Sequence, residues 1–212
     1  LGGRLGGVFS AVILGLLPGY FMLRTRAGAA DHNGAEPLFM SLAVLGLMAA
    51  LTVAEREKPV FEQFLDRDVA GLRRVVGWSV LAGVATAVYM WVWPPGVLLV
   101  GIFGAFFLVK LVGDYVTGAS PDHVAVVGAV SMTTTALLML VPLAESGFGV
   151  SGFSFLQPLF SLAVAFGCVF LAWLAREFDA GELSASGYVG AVFGILVVGV
   201  GVLSVVAPDF WS

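Results

Sequence analysis

Seven apolar runs dominate this chain, over residues 5–23, 37–54, 74–94, 96–113, 122–143, 153–175 and 187–207. Each is close to the roughly 20 residues that a helix needs to cross a hydrocarbon core about 30 Å thick. The junctions concentrate charge and helix breakers, as in RTRAGAADHNGAE, WPPG, DYVTGASPD and REFDAGELSAS. In lipid only a helix satisfies every backbone group of an open segment. The fold class expected is therefore all-α: an integral membrane bundle of about seven transmembrane helices. No intervening segment is polar and long enough for a second unit, so residues 1–212 are expected to form one polytopic domain.

Composition supports the bilayer as solvent. Only 11% of the 212 residues are charged and 59% are hydrophobic, against about 25% charged in a soluble domain. The 10 basic and 14 acidic residues leave a net charge of −4, which excludes the clustered positive surface of a nucleic-acid partner. Cys168 is the sole cysteine and lies in the apolar AFGCVFLAW run, so it reads as a small hydrophobe. The first apolar run follows Arg4 and has no small-residue cleavage site. It is expected to be a retained helix, with the native N-terminus upstream of Leu1.

Lysine and arginine set the orientation. With the N-terminus cytoplasmic, inner segments carry Arg4, then Arg56, Lys58, Arg67, Arg73 and Arg74, then Arg176, while outer loops carry only Arg24 and Arg26. Lys110 can snorkel to the inner side, and the C-terminus falls outside. The expected location is the cytoplasmic membrane, with multiple passes and the lipid bilayer as partner. Within residues 55–73, Phe61, Phe64, Leu65, Val69 and Leu72 recur at helical spacing among acids and bases. That pattern predicts an amphipathic segment at the inner interface.

FLVKLVGDYVTG at 107–118 aligns without gaps to FLAWLAREFDAG at 170–181, each with an acid, an aromatic and a glycine at matching places. Two copies of one hairpin are one reading of this likeness, a device that some transporters use.

The stretch KLVGDYVTGASPDHV holds the main candidates for chemistry. Ser120 and Pro121 suit a helix start, and Asp122 gains there from the helix dipole. Asp114 ends a helix, where the dipole disfavours an acid, and Lys110 precedes it at the i,i+4 spacing that permits pairing. If the protein is an enzyme, Asp114, His123 and Asp122 are the candidate catalytic residues, gathering with Asp66, Asp68, Arg73 and Arg74. Ser131, Thr133, Thr134 and Thr135 form a hydroxyl cluster in the middle of the fifth run. They either bond to backbone carbonyls or line a polar path.

Metal chemistry finds no ligand set: the only histidines are His32 and His123, on opposite membrane faces in this topology. The GVSG run at 149–152 has no histidine after it to act as base for Ser151. No cofactor is specified. The first functional expectation is a transporter or channel for a small solute or ion, with Lys110, Asp114, Thr133, Thr134 and Thr135 as binding residues. One alternative is a non-catalytic subunit associated with other membrane subunits. The other is a membrane-embedded enzyme acting on a lipid or lipid-phosphate substrate at the cytoplasmic edge.

Overall fold

The structure, a computed structural model, describes residues 3–16, 35–57, 63, 69–143 and 147–206. Among them the apolar runs form α1 (Gly3–Leu16), α2 (Ala35–Arg56), α3 (Val69–Val92), α4 (Val97–Val116), α5 (Asp122–Met139), α6 (Leu156–Ala180) and α7 (Ala185–Val206). Five of these, α2 to α6, contain stretches long and apolar enough to cross a membrane. The all-helical membrane architecture holds at that level.

Small residues decide how the helices pack. Along α2, Ala43, Gly46, Ala50 and Ala54 are buried at spacings of three and four, the rhythm of one helix face. A Cβ built on Gly46 would sit 3.1 Å from the Cα of Ala82, so the α2 and α3 backbones nearly touch. α5 buries the largest share of its length among the five spans. On one side Gly83 of α3 lies so close that a Cβ would fall 2.3 Å from the Ser131 carbonyl oxygen. On the other side Gly128 faces Cys168 of α6, with 2.5 Å between a built Cβ and Sγ. Cys168 is buried, as the sequence implied. Close approach of this kind is what small residues allow where lipid supplies no hydrophobic drive between helices.

The WPPG junction breaks the chain between α3 and α4 as a 3-10 turn over Pro94–Gly96. The Tyr89 ring lies over Gly96, where a Cβ would stand 2.6 Å from the ring. After α5, the buried Gln157 organises the returning loop. Its Nε2 donates to Gly152 O at 2.8 Å, and its Oε1 accepts from Ser154 N at 3.0 Å. Ser151 is an exposed residue of that loop.

Helix ends depart from the apolar runs in instructive ways. α3 begins at Val69 rather than 74, because arginines at a membrane edge extend to water without breaking the helix. Residues 69–73 of the expected interfacial segment are thus the first turns of α3. Phe61, Phe64 and Leu65 lie outside the described residues, as do Asp66, Asp68 and His32.

Candidate functional site

The ends of α4 and α6 and the start of α5 meet at one end of the bundle, and the chemistry-bearing residues gather there. Lys110 and Asp114 are one turn apart on α4, and Lys110 Nζ donates to Asp114 Oδ1. Asp114 is buried, and its Oδ2 accepts no hydrogen bond. That oxygen faces His123 of α5, with Nε2 at 3.8 Å. The His123 ring is buried too, with Nδ1 3.1 Å from the Ser120 carbonyl oxygen. A neutral ring would donate from Nδ1 to that carbonyl and leave Nε2 as an acceptor. The 3.8 Å separation is too long for a hydrogen bond in any case.

Asp122 has a partner that the sequence reading missed. Arg176 of α6 donates from Nε to Asp122 Oδ1 at 3.1 Å and from Nη2 to Oδ2 at 2.9 Å. Ser120 Oγ also donates to Asp122 Oδ2 at 2.6 Å. Capping alone was therefore too small a role for Asp122: its carboxylate joins two helices 54 residues apart in sequence. Ser120 acts less as a cap than as a support, since its hydroxyl lies 3.4 Å from the Asp122 N–H. One signal was available in advance. Arg176 is the one cation within the 153–180 stretch, and a charge in such a setting needs a partner.

Tyr115, Ser120, Asp122, Arg176 and Asp179 line a cavity of about 280 Å³ at this end. Two carboxylates and one guanidinium give it mixed polarity, with the guanidinium already engaged. Lys110, Asp114 and His123 stand beside that cavity rather than in its wall. Arg73 and Arg74 line a separate cavity on α3, so the expected convergence of both arginines with His123 does not form. Among the described residues no group of three metal-ligating side chains occurs.

The repeated acid–aromatic helix end takes on a structural role. The Tyr115 and Phe178 rings both pack on buried Tyr188 of α7, with centroids 4.3 and 5.8 Å away. Tyr188 in turn donates from its hydroxyl to Leu171 O at 3.1 Å. The two copies therefore seat the start of α7.

Carbonyl oxygens take up three of the four hydroxyls in the cluster. Ser131 donates to Val127 O at 2.7 Å and Thr134 to Val130 O at 2.8 Å. Thr135 donates to Ser131 O at 3.0 Å and across to Gly83 O at 3.1 Å. Back-bonding and helix contact thus engage these hydroxyls, and none of the cavities described here touches Thr133, Thr134 or Thr135. A further cavity of about 380 Å³, between α4, α6 and α7, is lined by Gly101, Gly104, Phe160, Gly167, Val192 and Leu196 among other apolar residues. Its walls suit hydrocarbon only.

Against known families, residues 1–209 match the model described as oligosaccharyl transferase STT3, N-terminal. The chain belongs to the STT3 oligosaccharyl transferase family. Dolichyl-monophosphooligosaccharide–protein glycotransferase AglB of Haloferax volcanii is 59% identical over 212 residues, which is all of this chain and 20% of that protein. Dolichyl-phosphooligosaccharide–protein glycotransferase 3 of Archaeoglobus fulgidus is 25% identical over 216 residues, 96% of this chain and 23% of that protein. The chain thus spans about a fifth of the length of the curated relatives it matches. The fold agrees with a crystal structure of the Archaeoglobus fulgidus oligosaccharyltransferase tethered with an acceptor peptide. There the TM-score is 0.76 at 23% identity, over 94% of this chain and 23% of that one. A second structure, of the same organism's AglB with an inhibitory peptide and a dolichol-phosphate, gives 0.73 at 24% identity, over 96% and 23%.

STT3 membership overturns the transporter or channel expectation: the family is one of transferases. The misreading leaned on the threonine cluster, in which the hydroxyls of Ser131, Thr134 and Thr135 bond to backbone carbonyls, one of them across the α3–α5 contact. Placement as a multi-pass protein of the cell membrane stands, with lipid as its partner.

Proposed function

We propose that this chain is the membrane-embedded part of an oligosaccharyltransferase that moves an oligosaccharide from a dolichol-phosphate carrier to an acceptor protein. The observation that carries this reading is the 59% identity along the whole chain to the Haloferax volcanii AglB glycotransferase. It sits closest to the alternative of a membrane enzyme with a lipid-phosphate substrate. The apolar spans would supply a hydrocarbon-compatible surface for the carrier tail. The deciding experiment incubates the full-length protein with a lipid-linked oligosaccharide and an acceptor peptide. A peptide mass increase equal to the oligosaccharide is expected; a folded protein that leaves the peptide unmodified with matched donors would overturn the proposal.

In the same reading α1 and α7 also span, giving seven crossings with the N-terminus cytoplasmic and the C-terminus outside. The excess of arginine and lysine in the even-numbered junctions supports this orientation. Ser151→Cys should then react with an impermeant maleimide from outside, and labelling from inside only would reverse the topology. Asp114, His123 and Asp122 act at the contacts between helix ends rather than as reacting groups, with Lys110 pairing Asp114 within α4, a role supported by the Asp114–His123 approach and the Arg176–Asp122 pair. Native co-purification in mild detergent tests for additional membrane subunits, and a stoichiometric partner would establish one.

A further inference from the structure

α3 enters its apolar stretch through a notch that has no role in any of the contacts above. Arg73, Gly77 and Leu81 follow one another at spacings of four, with Arg74 and Trp78 on the adjoining row, so the five residues share one helix face. All five are exposed, and together they line a cavity of about 410 Å³. Gly77 forms its floor: a Cβ there would meet nothing within 4 Å, so open space lies directly above the backbone. Arg74 Nη1 donates to Glu57 Oε1 at 3.1 Å, which fixes one edge of that guanidinium. Among the described residues no ion pair is formed by Arg73. Among the described residues, two guanidinium groups and one paired carboxylate give the mouth of the notch a positive balance.

We infer that this notch binds the phosphate of an anionic membrane lipid, with the top of its acyl chain against Trp78 and Leu81. Guanidinium groups present paired N–H donors that match phosphate oxygens. At 1.5 Å per residue, the seven steps from Arg74 to Leu81 descend about 10 Å, roughly from headgroup depth to the first part of the chain. The Trp78 ring belongs at that boundary, where one side is wet and the other apolar. Charge complementarity separates this occupant from a neutral lipid or a neighbouring apolar helix, neither of which would engage the arginines.

The test uses the full-length protein with Leu81 replaced by the photo-reactive p-benzoylphenylalanine, in bilayers of phosphatidylglycerol and phosphatidylcholine at equal mole fractions. Mass spectrometry of the irradiated protein should find phosphatidylglycerol adducts in excess over phosphatidylcholine by about 25-fold when both arginines act in full. Each arginine should contribute a factor of about five, from the attraction of one basic side chain to an anionic surface. Arg73→Gln with Arg74→Gln should bring the ratio back to that of the bilayer. Gly77→Leu, which keeps both arginines but fills the notch, should lower it as well, and it checks the result should the double variant fold poorly. Inorganic phosphate added to the buffer should not compete, because the acyl chain is part of what binds. Equal adducts of both lipids, or cross-links mainly to another part of the protein, would overturn the inference.

Discussion

Arg176 grips both carboxylate oxygens of Asp122, at 3.1 and 2.9 Å, and so fastens the end of α6 to the start of α5. The geometry is bidentate, which lysine cannot reproduce. Arg176→Lys should therefore lose most of the coupling that a double-mutant cycle with Asp122→Ala measures. Because the arginine side chain is 42% exposed, the pair is worth about 1 kcal/mol, the upper range for accessible ion pairs. Thermal unfolding in detergent reads the effect, and a coupling indistinguishable from zero would make the contact incidental.

Gly83 and Gly128 set the spacing of α3, α5 and α6, since a Cβ at either would overlap Ser131 O or Cys168 Sγ. Gly83→Ala meets rigid backbone, so it should cost roughly 3 kcal/mol, the upper range for overpacking. Gly128→Ala meets a side chain that can turn, and should cost less. Gly113→Ala on α4, where the new methyl meets nothing within 4 Å, should instead stabilise by about 0.5–1 kcal/mol through helix propensity. Melting temperatures of the three variants test the ranking.

The two helix ends that look alike in sequence also terminate alike, one residue out of step. After α4, Ala119 N donates to Asp114 O and Gly118 N to Tyr115 O; after α6, Leu183 N donates to Phe178 O and Glu182 N to Asp179 O. These are the paired bonds of a Schellman stop, whose turning residue is left-handed. Gly118 takes that position with φ 76°, whereas in the second copy it falls to Glu182 with φ 51°. Glu182→Gly should thus stabilise and Gly118→Ala destabilise, each by about 1 kcal/mol, the cost of a side chain in the left-handed region. Equal melting temperatures for wild type and Glu182→Gly would remove the argument.

That one-residue slip marks what was legible in the chain and what was not. The spans could be read because the bilayer forces unbroken apolar helices of fixed length, and the Lys110–Asp114 pair because both residues lie on one helix. Which helix ends meet is a different matter. Arg176 and Asp122 are joined by the crossing of α5 and α6, and no local periodicity carries that information. The glycyl register at Gly181 suggested an exact repeat, but the stop comes at Glu182. Function was less legible still, because hydroxyls such as Thr135 look the same in sequence whether they bind a solute or a carbonyl.

Thr135 illustrates the distinction quantitatively. Its hydroxyl bonds Gly83 O on the neighbouring helix as well as Ser131 O. Thr135→Val keeps the shape and removes the donor, and should lower stability by about 0.6 kcal/mol, the average for hydrogen bonds between membrane helices. Oligosaccharide transfer by the full-length protein should be unchanged. A loss of transfer without a loss of stability would place a substrate at this position.

Asp114 is the sharpest test of whether the cluster at the helix ends reacts or merely holds. Its carboxylate is buried, bonded by Lys110 at one oxygen and facing His123 at the other. Asp114→Asn keeps the shape but removes the charge that Lys110 pairs with. Lys110 is partly exposed and can extend to water, so the cost should be about 1 kcal/mol, well short of the 3–5 kcal/mol for stranding a fully buried charge. Adding Lys110→Met to Asp114→Asn should recover most of that loss, because the cation left behind is then gone. If the cluster only holds the helices, the rate of peptide glycosylation by the full-length protein follows stability and returns with the double variant. A transfer rate that collapses in Asp114→Asn at unchanged melting temperature, and stays low in the double variant, would make Asp114 a catalytic residue.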